Sequence, residues 1–110
     1  MEKFNNLEKV KSVSAFRGHY RRTLTGDKSV MMCMFNMEAG TRVELHSHPA
    51  AQIGYVLKGE MEFFDKDGNH KVGGPGFSYC FDPDEVHGCA AITDCEFMEC
   101  FTPSRPEYDN

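Results

Sequence analysis

The sequence predicts an all-β domain, either a sandwich or a barrel. Short apolar runs recur between turn-forming clusters roughly every eight to twelve residues, and no useful length shows the 3.6-residue period of a helix. Size adds a third argument: 110 residues hold one modest core and therefore one domain. The hydrophobic share of 40% is enough to pack. No repeat, low-complexity tract or composition break divides the chain.

Residues 1–13 are polar with a few apolar positions and read as an N-terminal arm or edge strand. Residues 14–103 form the body, and 104–110 a C-terminal tail. Within the body, Phe16 to Leu24 reads as a strand ended by Thr25-Gly26-Asp27. Ser29 to Met37 is nearly continuous in apolar residues, suiting a strand buried on both faces or an intersubunit surface. Glu38-Ala39-Gly40 turns into a strand over Thr41–His48. Gln52–Leu57 is the next, with Lys58-Gly59-Glu60 turning tightly into Met61–Phe64. Asp65-Lys66-Asp67-Gly68-Asn69 is a hairpin signal. Phe77–Phe81, Val86–Ile92 and Cys95–Phe101 complete the set.

Twelve Lys and Arg against seventeen Asp and Glu give a net charge of −5. This balance offers no footprint for nucleic acid or an anionic membrane. It does not exclude an anionic small molecule, because one buried Arg outweighs net charge. The five cysteines (Cys33, Cys80, Cys89, Cys95, Cys100) form an odd set without CxxC spacing. They read as mostly buried free thiols. Together with a non-apolar N-terminus, they lead us to expect a cytoplasmic protein.

His46-Ser47-His48 carries the sharpest chemistry. On a strand, these imidazoles share a face with Cα atoms about 7 Å apart, the arrangement two ligands of one metal need. Gln52, opening the next strand, can bring its amide oxygen to the same point, and His87 follows the Asp82–Glu85 turn. An HxH pair alone is also common at exposed or satisfied core positions. Three imidazoles and a carbonyl oxygen suit one divalent transition metal, whether Ni, Zn, Fe, Mn or Co. The segment Gly40 to Gln52, closing at Gly59, resembles the first cupin motif. Gly76 to His87 around Pro83 resembles the second. The resemblance covers residues 38–92 and implies a cupin jelly-roll barrel (a double-stranded β-helix) with His46, His48, Gln52 and His87 as metal ligands. Gln52 stands where the motif usually has Glu, and Asp82-Pro83-Asp84 replaces its P-x-G turn.

Alternation in the last strand puts Cys95, Phe97, Glu99 and Phe101 on one face. If that face lines the barrel, Glu99 is an ionisable group in an apolar pocket beside a metal, suited to acid–base work. The opposite phase would leave Glu99 in solvent. Arg105, after Pro103, either folds back over the mouth or is a solvated tail residue. The length, the three-His-plus-Gln set and Glu99-Cys100-Phe101-Thr102-Pro103-Ser104-Arg105 are similar to cupins of the KdgF type, small proteins of pectin and alginate degradation. Proteins of that type convert 4,5-unsaturated monouronates to linear ketonised uronates, and usually carry Asp where Glu99 stands. The resemblance implies an anionic sugar substrate. Arg105 would hold its carboxylate, Phe101 would pack on the sugar face and Glu99 would donate a proton. It competes with a metal-dependent dioxygenase and with a non-catalytic sugar- or small-molecule-binding module.

Arg42 and Tyr55 lie within reach of a mouth without a clear task. His19 and His70 read as surface or turn residues. Met31-Met32-Cys33-Met34 reads as core or dimer interface, and a homodimer is expected.

Overall fold

Alternation resolves most clearly in the two most apolar strands. In the computed structural model, which describes residues 1–109, β3 (Met31–Met37) turns Met31, Cys33, Phe35 and Met37 inward. Cys95, Phe97, Glu99 and Phe101 of β10 (Cys95–Thr102) do the same. The two strands pair antiparallel, with Phe97 opposite Phe35 and Glu99 opposite Cys33. The other strands are β1 (Val13–Phe16), β2 (His19–Gly26), β4 (Arg42–His46), β5 (Ala51–Lys58), β6 (Met61–Asp65), β7 (His70–Gly73), β8 (Ser78–Phe81) and β9 (His87–Ala91). Two 3₁₀ turns, Leu7–Lys9 and Pro106–Tyr108, flank them, and the described residues contain no α-helix.

The strands form two antiparallel sheets, one ordered β1-β2-β3-β10-β5-β8 and the other β4-β9-β6-β7. Their inner faces enclose one core, in which Phe35 and Phe97 stack at 5.2 Å between centroids. Val56, Met61, Phe63 and Ala91 close it from β5 and the smaller sheet. Each such side chain contributes about 1.5–3 kcal/mol by leaving water. The turn from β5 to β6 needs Gly59. Its φ is +79°, and a Cβ there would press on the Asp94 carbonyl.

The two sheets differ on their outer faces. The smaller one is charged: Arg42 pairs with Glu44 at 2.8 Å, Glu62 meets His70 at 3.1 Å, and Arg42 lies over the Phe64 ring. The larger one is apolar. Cross-strand register sets Met34, Met98, Tyr55 and Ser78 in one row, and Met32, Cys100, Ile53 and Cys80 in the next.

Several expectations change. The strand read over Phe16–Leu24 is two strands, because Gly18 with positive φ turns the chain between Phe16 and His19. The strand read to His48 ends at His46, since Pro49 and the turn before β5 take His48 off the ladder. His70–Gly73 forms an additional strand, held by the predicted hairpin turn. His19 is buried, stacked on Phe16 at 4.8 Å, because it opens β2 on its inward phase. Cys80 is exposed on the outer face, while Cys33 and Cys95 are buried.

Candidate metal centre and active site

The three histidines come together through register and a turn. His46 ends β4 directly opposite His87, which opens β9. His48 reaches the same point from the β4–β5 connection. One coordinating atom from each ring lies within 4.8 Å of the other two.

Each ring is held by its own stretch of backbone. Nδ1 of His46 bonds the Glu44 carbonyl at 2.8 Å, that of His48 the Ala50 carbonyl at 2.7 Å, and that of His87 the Glu85 carbonyl at 2.7 Å. In every case the carbonyl lies two residues away. A carbonyl only accepts, so Nδ1 carries the hydrogen and Nε2 keeps a lone pair. Nε2 of His48 and of His87 is buried without a hydrogen-bond partner. Burial lowers both pKa values, His87 to about 4; the charge of Arg105 adds to the effect at His48, and neighbouring imidazoles add to it at both. At neutral pH these two rings are therefore neutral, as metal ligands must be. Buried lone pairs converging with no donor nearby are costly unless a cation meets them. The residues fit a divalent metal.

Gln52 is buried on β5, and its Nε2 donates to Glu99 Oε2 at 2.9 Å. A carboxylate accepts from the amide nitrogen, so the amide oxygen turns to the imidazole side. Phe81 lies flat on His87 at 4.2 Å, and Phe101 meets His48 edge-on at 5.9 Å.

Glu99 is on the inward face of β10 and only 9% exposed. Burial pushes its pKa up to about 7, against the Tyr79 hydrogen bond, the charge of Arg105 and the Gln52 hydrogen bond, which lower it. The Tyr79 hydroxyl donates to Oε2 at 2.6 Å, and burial together with Glu99 raises the phenol's own pKa. Arg105 folds back over the barrel. Its guanidinium lies 4.2 Å from the Tyr108 ring centre and 5.3 Å from that of Phe101. Its Nε is 3.5 Å from Glu107, an ion-pair distance without hydrogen-bond geometry, since Nε has no hydrogen-bond partner.

His46, His87, Gln52, Glu99 and Arg105 line one cavity of about 50 Å³, together with Tyr108, His19 and apolar residues of the core. That volume holds an ion and about one water, at about 30 Å³ per water. Phe101 is 1% exposed and does not line this cavity. Its ring supports His48, Arg105 and Tyr108 from behind, so the face expected to meet a sugar is occupied by protein. Arg42 and Tyr55 both point to outer faces, away from the mouth. Tyr79 and Tyr108 were not singled out by the sequence. Tyr79 alternates in phase with Phe81 and was legible as inward; Tyr108, in an irregular tail, carried no such signal.

A family model for the cupin domain matches residues 33–101, more than half of the chain. The protein belongs to the cupin family. Its fold is similar to that of an RmlC-like cupin from Shewanella frigidimarina NCIMB 400, with TM-score 0.92 and 26% identity over 98% of this chain and 96% of that one. It is similar also to KdgF from Halomonas sp., with TM-score 0.89 and 22% identity over 96% and 98%. The polyketide cyclase RemF from Streptomyces resistomycificus gives 0.81 and 23% over 96% and 82%. No curated protein matches the chain. Among the described residues, no helix is long and apolar enough to cross a membrane.

Proposed function

We propose that this cupin is a metal-dependent enzyme that opens and ketonises 4,5-unsaturated monouronates. The observation that carries the reading is the convergence of a buried acid, Glu99, a guanidinium, Arg105, and a neutral ligand set on one small cavity. The likeness in fold to KdgF supports it. The proposed substrate is a cyclic hemiacetal with a C4=C5 enol ether and a C6 carboxylate. Ring opening releases the proton of the anomeric hydroxyl to water, from which Glu99 is later reprotonated, and breaks the bond from C1 to the ring oxygen. C1 becomes an aldehyde, and the bonding pair stays on the ring oxygen as an enolate. A proton added at C4 then gives the C5 ketone, so the reaction is a net isomerisation.

A divalent cation at His46, His48, His87 and Gln52 supplies Lewis acidity toward an anionic oxygen, undiminished by any charged ligand. Arg105 binds the C6 carboxylate through a charge-assisted pair. Glu99, with a pKa near 7, is poised to give a proton at C4. Phe81 and Phe101 hold the imidazole planes. A monosaccharide is larger than the cavity, and the irregular tail bearing Arg105 and Tyr108 is the part of its wall that belongs to neither sheet, so admission of the sugar requires that tail to move.

The deciding experiment follows loss of enol-ether absorbance when metal-loaded protein meets unsaturated monouronates from pectin and from alginate. Turnover supports the reading. Inertness at full metal occupancy ends it. Oxygen uptake with another small organic substrate would replace it with a dioxygenase, and binding without turnover would replace it with a sensor-like module.

We also propose that two copies pair through the outer face of the six-stranded sheet. A groove beside Gly54, Ser78 and Cys80 runs next to the exposed Ile53 and Tyr55, so ridge and groove lie on one surface. A two-fold axis can then fit each into the other. Four strands about 4.8 Å apart and two rows about 7 Å apart give an uncharged centre of roughly 270 Å². That is a fitting core for a standard interface of about 800 Å² per partner. Arg22, Glu96 and Lys58 rim it. Light scattering that finds only monomer at tens of micromolar would remove this pairing.

A further inference from the structure

Both hydrogen bonds that hold the Glu99 carboxylate end on the same oxygen. Gln52 Nε2 and the Tyr79 hydroxyl both donate to Oε2, at 2.9 and 2.6 Å. No hydrogen bond to Oε1 occurs among the described residues, although Glu99 lines the metal cavity and is otherwise enclosed. One oxygen is anchored and the other is left for whatever enters.

The anchor depends on a gap in the sheet. Tyr79 of β8 is paired with Gly54 of β5, which is in turn paired with Glu99 of β10. These three residues form one inward cross-strand row. Tyr79 lies across the middle strand to reach Glu99, and a Cβ on Gly54 would collide with the far end of its ring, hydroxyl included. Any other residue at position 54 would push the phenol away from the carboxylate.

We propose that Tyr79 is a positioning residue for Glu99, working through the space Gly54 leaves. It fixes Oε2 so that Oε1 is the oxygen presented to the ligand. With two donors occupying Oε2, an acid proton on Glu99 sits on Oε1, which gives the carboxyl group one working direction. The same anchored oxygen holds the Gln52 amide, so one phenol sets the attitude of both the acid and the amide ligand. The kinetic part of this inference rests on the uronate reading; the geometric part does not.

Two variants break the bond from opposite ends. Tyr79→Phe removes the hydroxyl and keeps the ring, and Gly54→Ala displaces the ring and keeps the hydroxyl. The first readout is the Glu99 carboxyl band in infrared difference spectra, isolated by subtracting the Glu99→Gln protein. Losing a donor on Oε2 should move the carbonyl stretch to higher frequency in both variants. The second readout is kinetic. With metal content unchanged, kcat should fall about 10- to 100-fold while KM stays within about threefold, as for a misaligned group. An unmoved band in Tyr79→Phe overturns the proposal, as does unchanged kcat in an active enzyme. If the wild type is inert on unsaturated uronates but the band moves, the positioning stands and the uronate reading falls. Should Gly54→Ala fail to fold, the nearly isosteric Tyr79→Phe decides alone.

Discussion

The two faces of the six-stranded sheet share out polar side chains unevenly. Inside, Gln52, Glu99, Arg21 and Thr23 lie among the apolar residues of the core; outside lie two rows dominated by Met, Ile, Tyr and Cys. In β10 the contrast is sharpest at one step, with Glu99 buried between the outward-facing Met98 and Cys100. Buried polar groups are tolerable only when satisfied by one another or by a ligand. The inner set meets that condition through Gln52, Tyr79 and a cation site. The outer face has no such internal answer, and the pairing proposed above is placed there for that reason. On that proposal, chemistry shapes one side of this sheet and assembly the other.

Breaking the inner face at its centre should have the largest effect. His87→Ala removes one of the three imidazoles that converge on one point, and metal stoichiometry should fall from one per chain toward zero by elemental analysis. An unchanged metal content would displace His87 from the ligand set. Glu99→Gln keeps shape and hydrogen-bonding reach but cannot deliver a proton, so kcat should drop about 10²-fold or more with KM little changed. Normal kcat would take Glu99 out of the mechanism. Arg105→Ala should raise KM and lower kcat/KM by something like 2–4 kcal/mol, the loss of a charge-assisted pair. The contrast with Glu99 is sharpened if only Arg105 affects KM.

On the outer face, Ile53→Lys should leave fold, metal and turnover per site intact while giving a monomer in light scattering. A variant that still pairs would move the interface elsewhere. The smallest effect concerns pH in the metal-free protein. His87 protonates near 4 in the folded state and near 6.5 when unfolded. Between those values the unfolded chain binds more protons, so this group lowers stability as pH falls from 6.5 toward 4. Glu99 acts oppositely: its folded pKa is near 7 against 4.5 unfolded, so it adds stability as pH falls through that window. Burial lowers the His48 pKa as well, so His48 acts with His87. Urea midpoints with a chelator present should therefore fall less steeply with acid in the wild type than in Glu99→Gln, and equal slopes would show that Glu99 does not oppose the histidines.

The all-β fold and the His46, His48 and His87 cluster were legible because period-two alternation and cupin spacing are local signals. The inward phase of Glu99 followed from its flanking Phe97 and Phe101. Tyr79's link to Glu99 was not legible, because it spans three strands and depends on an absent side chain at Gly54. His19 was misread as surface because a single histidine after Gly18 gives no alternation to count. Phe101 was placed on the right face, but Arg105 and Tyr108 of the tail lie against its ring; that tail is irregular, and nothing in Pro103-Ser104-Arg105 encodes where it lands.

The three bonds from imidazole to backbone carbonyl have a thermodynamic consequence. Folding itself orients the rings, so the ordering entropy of the metal site is settled before any ion arrives. Small metal domains whose ligands assemble only around the ion unfold when it is removed. Here the β4–β9 ladder and the carbonyls of Glu44, Ala50 and Glu85 hold the rings through the backbone rather than through an ion, so chelation should be a reversible exchange on a standing scaffold.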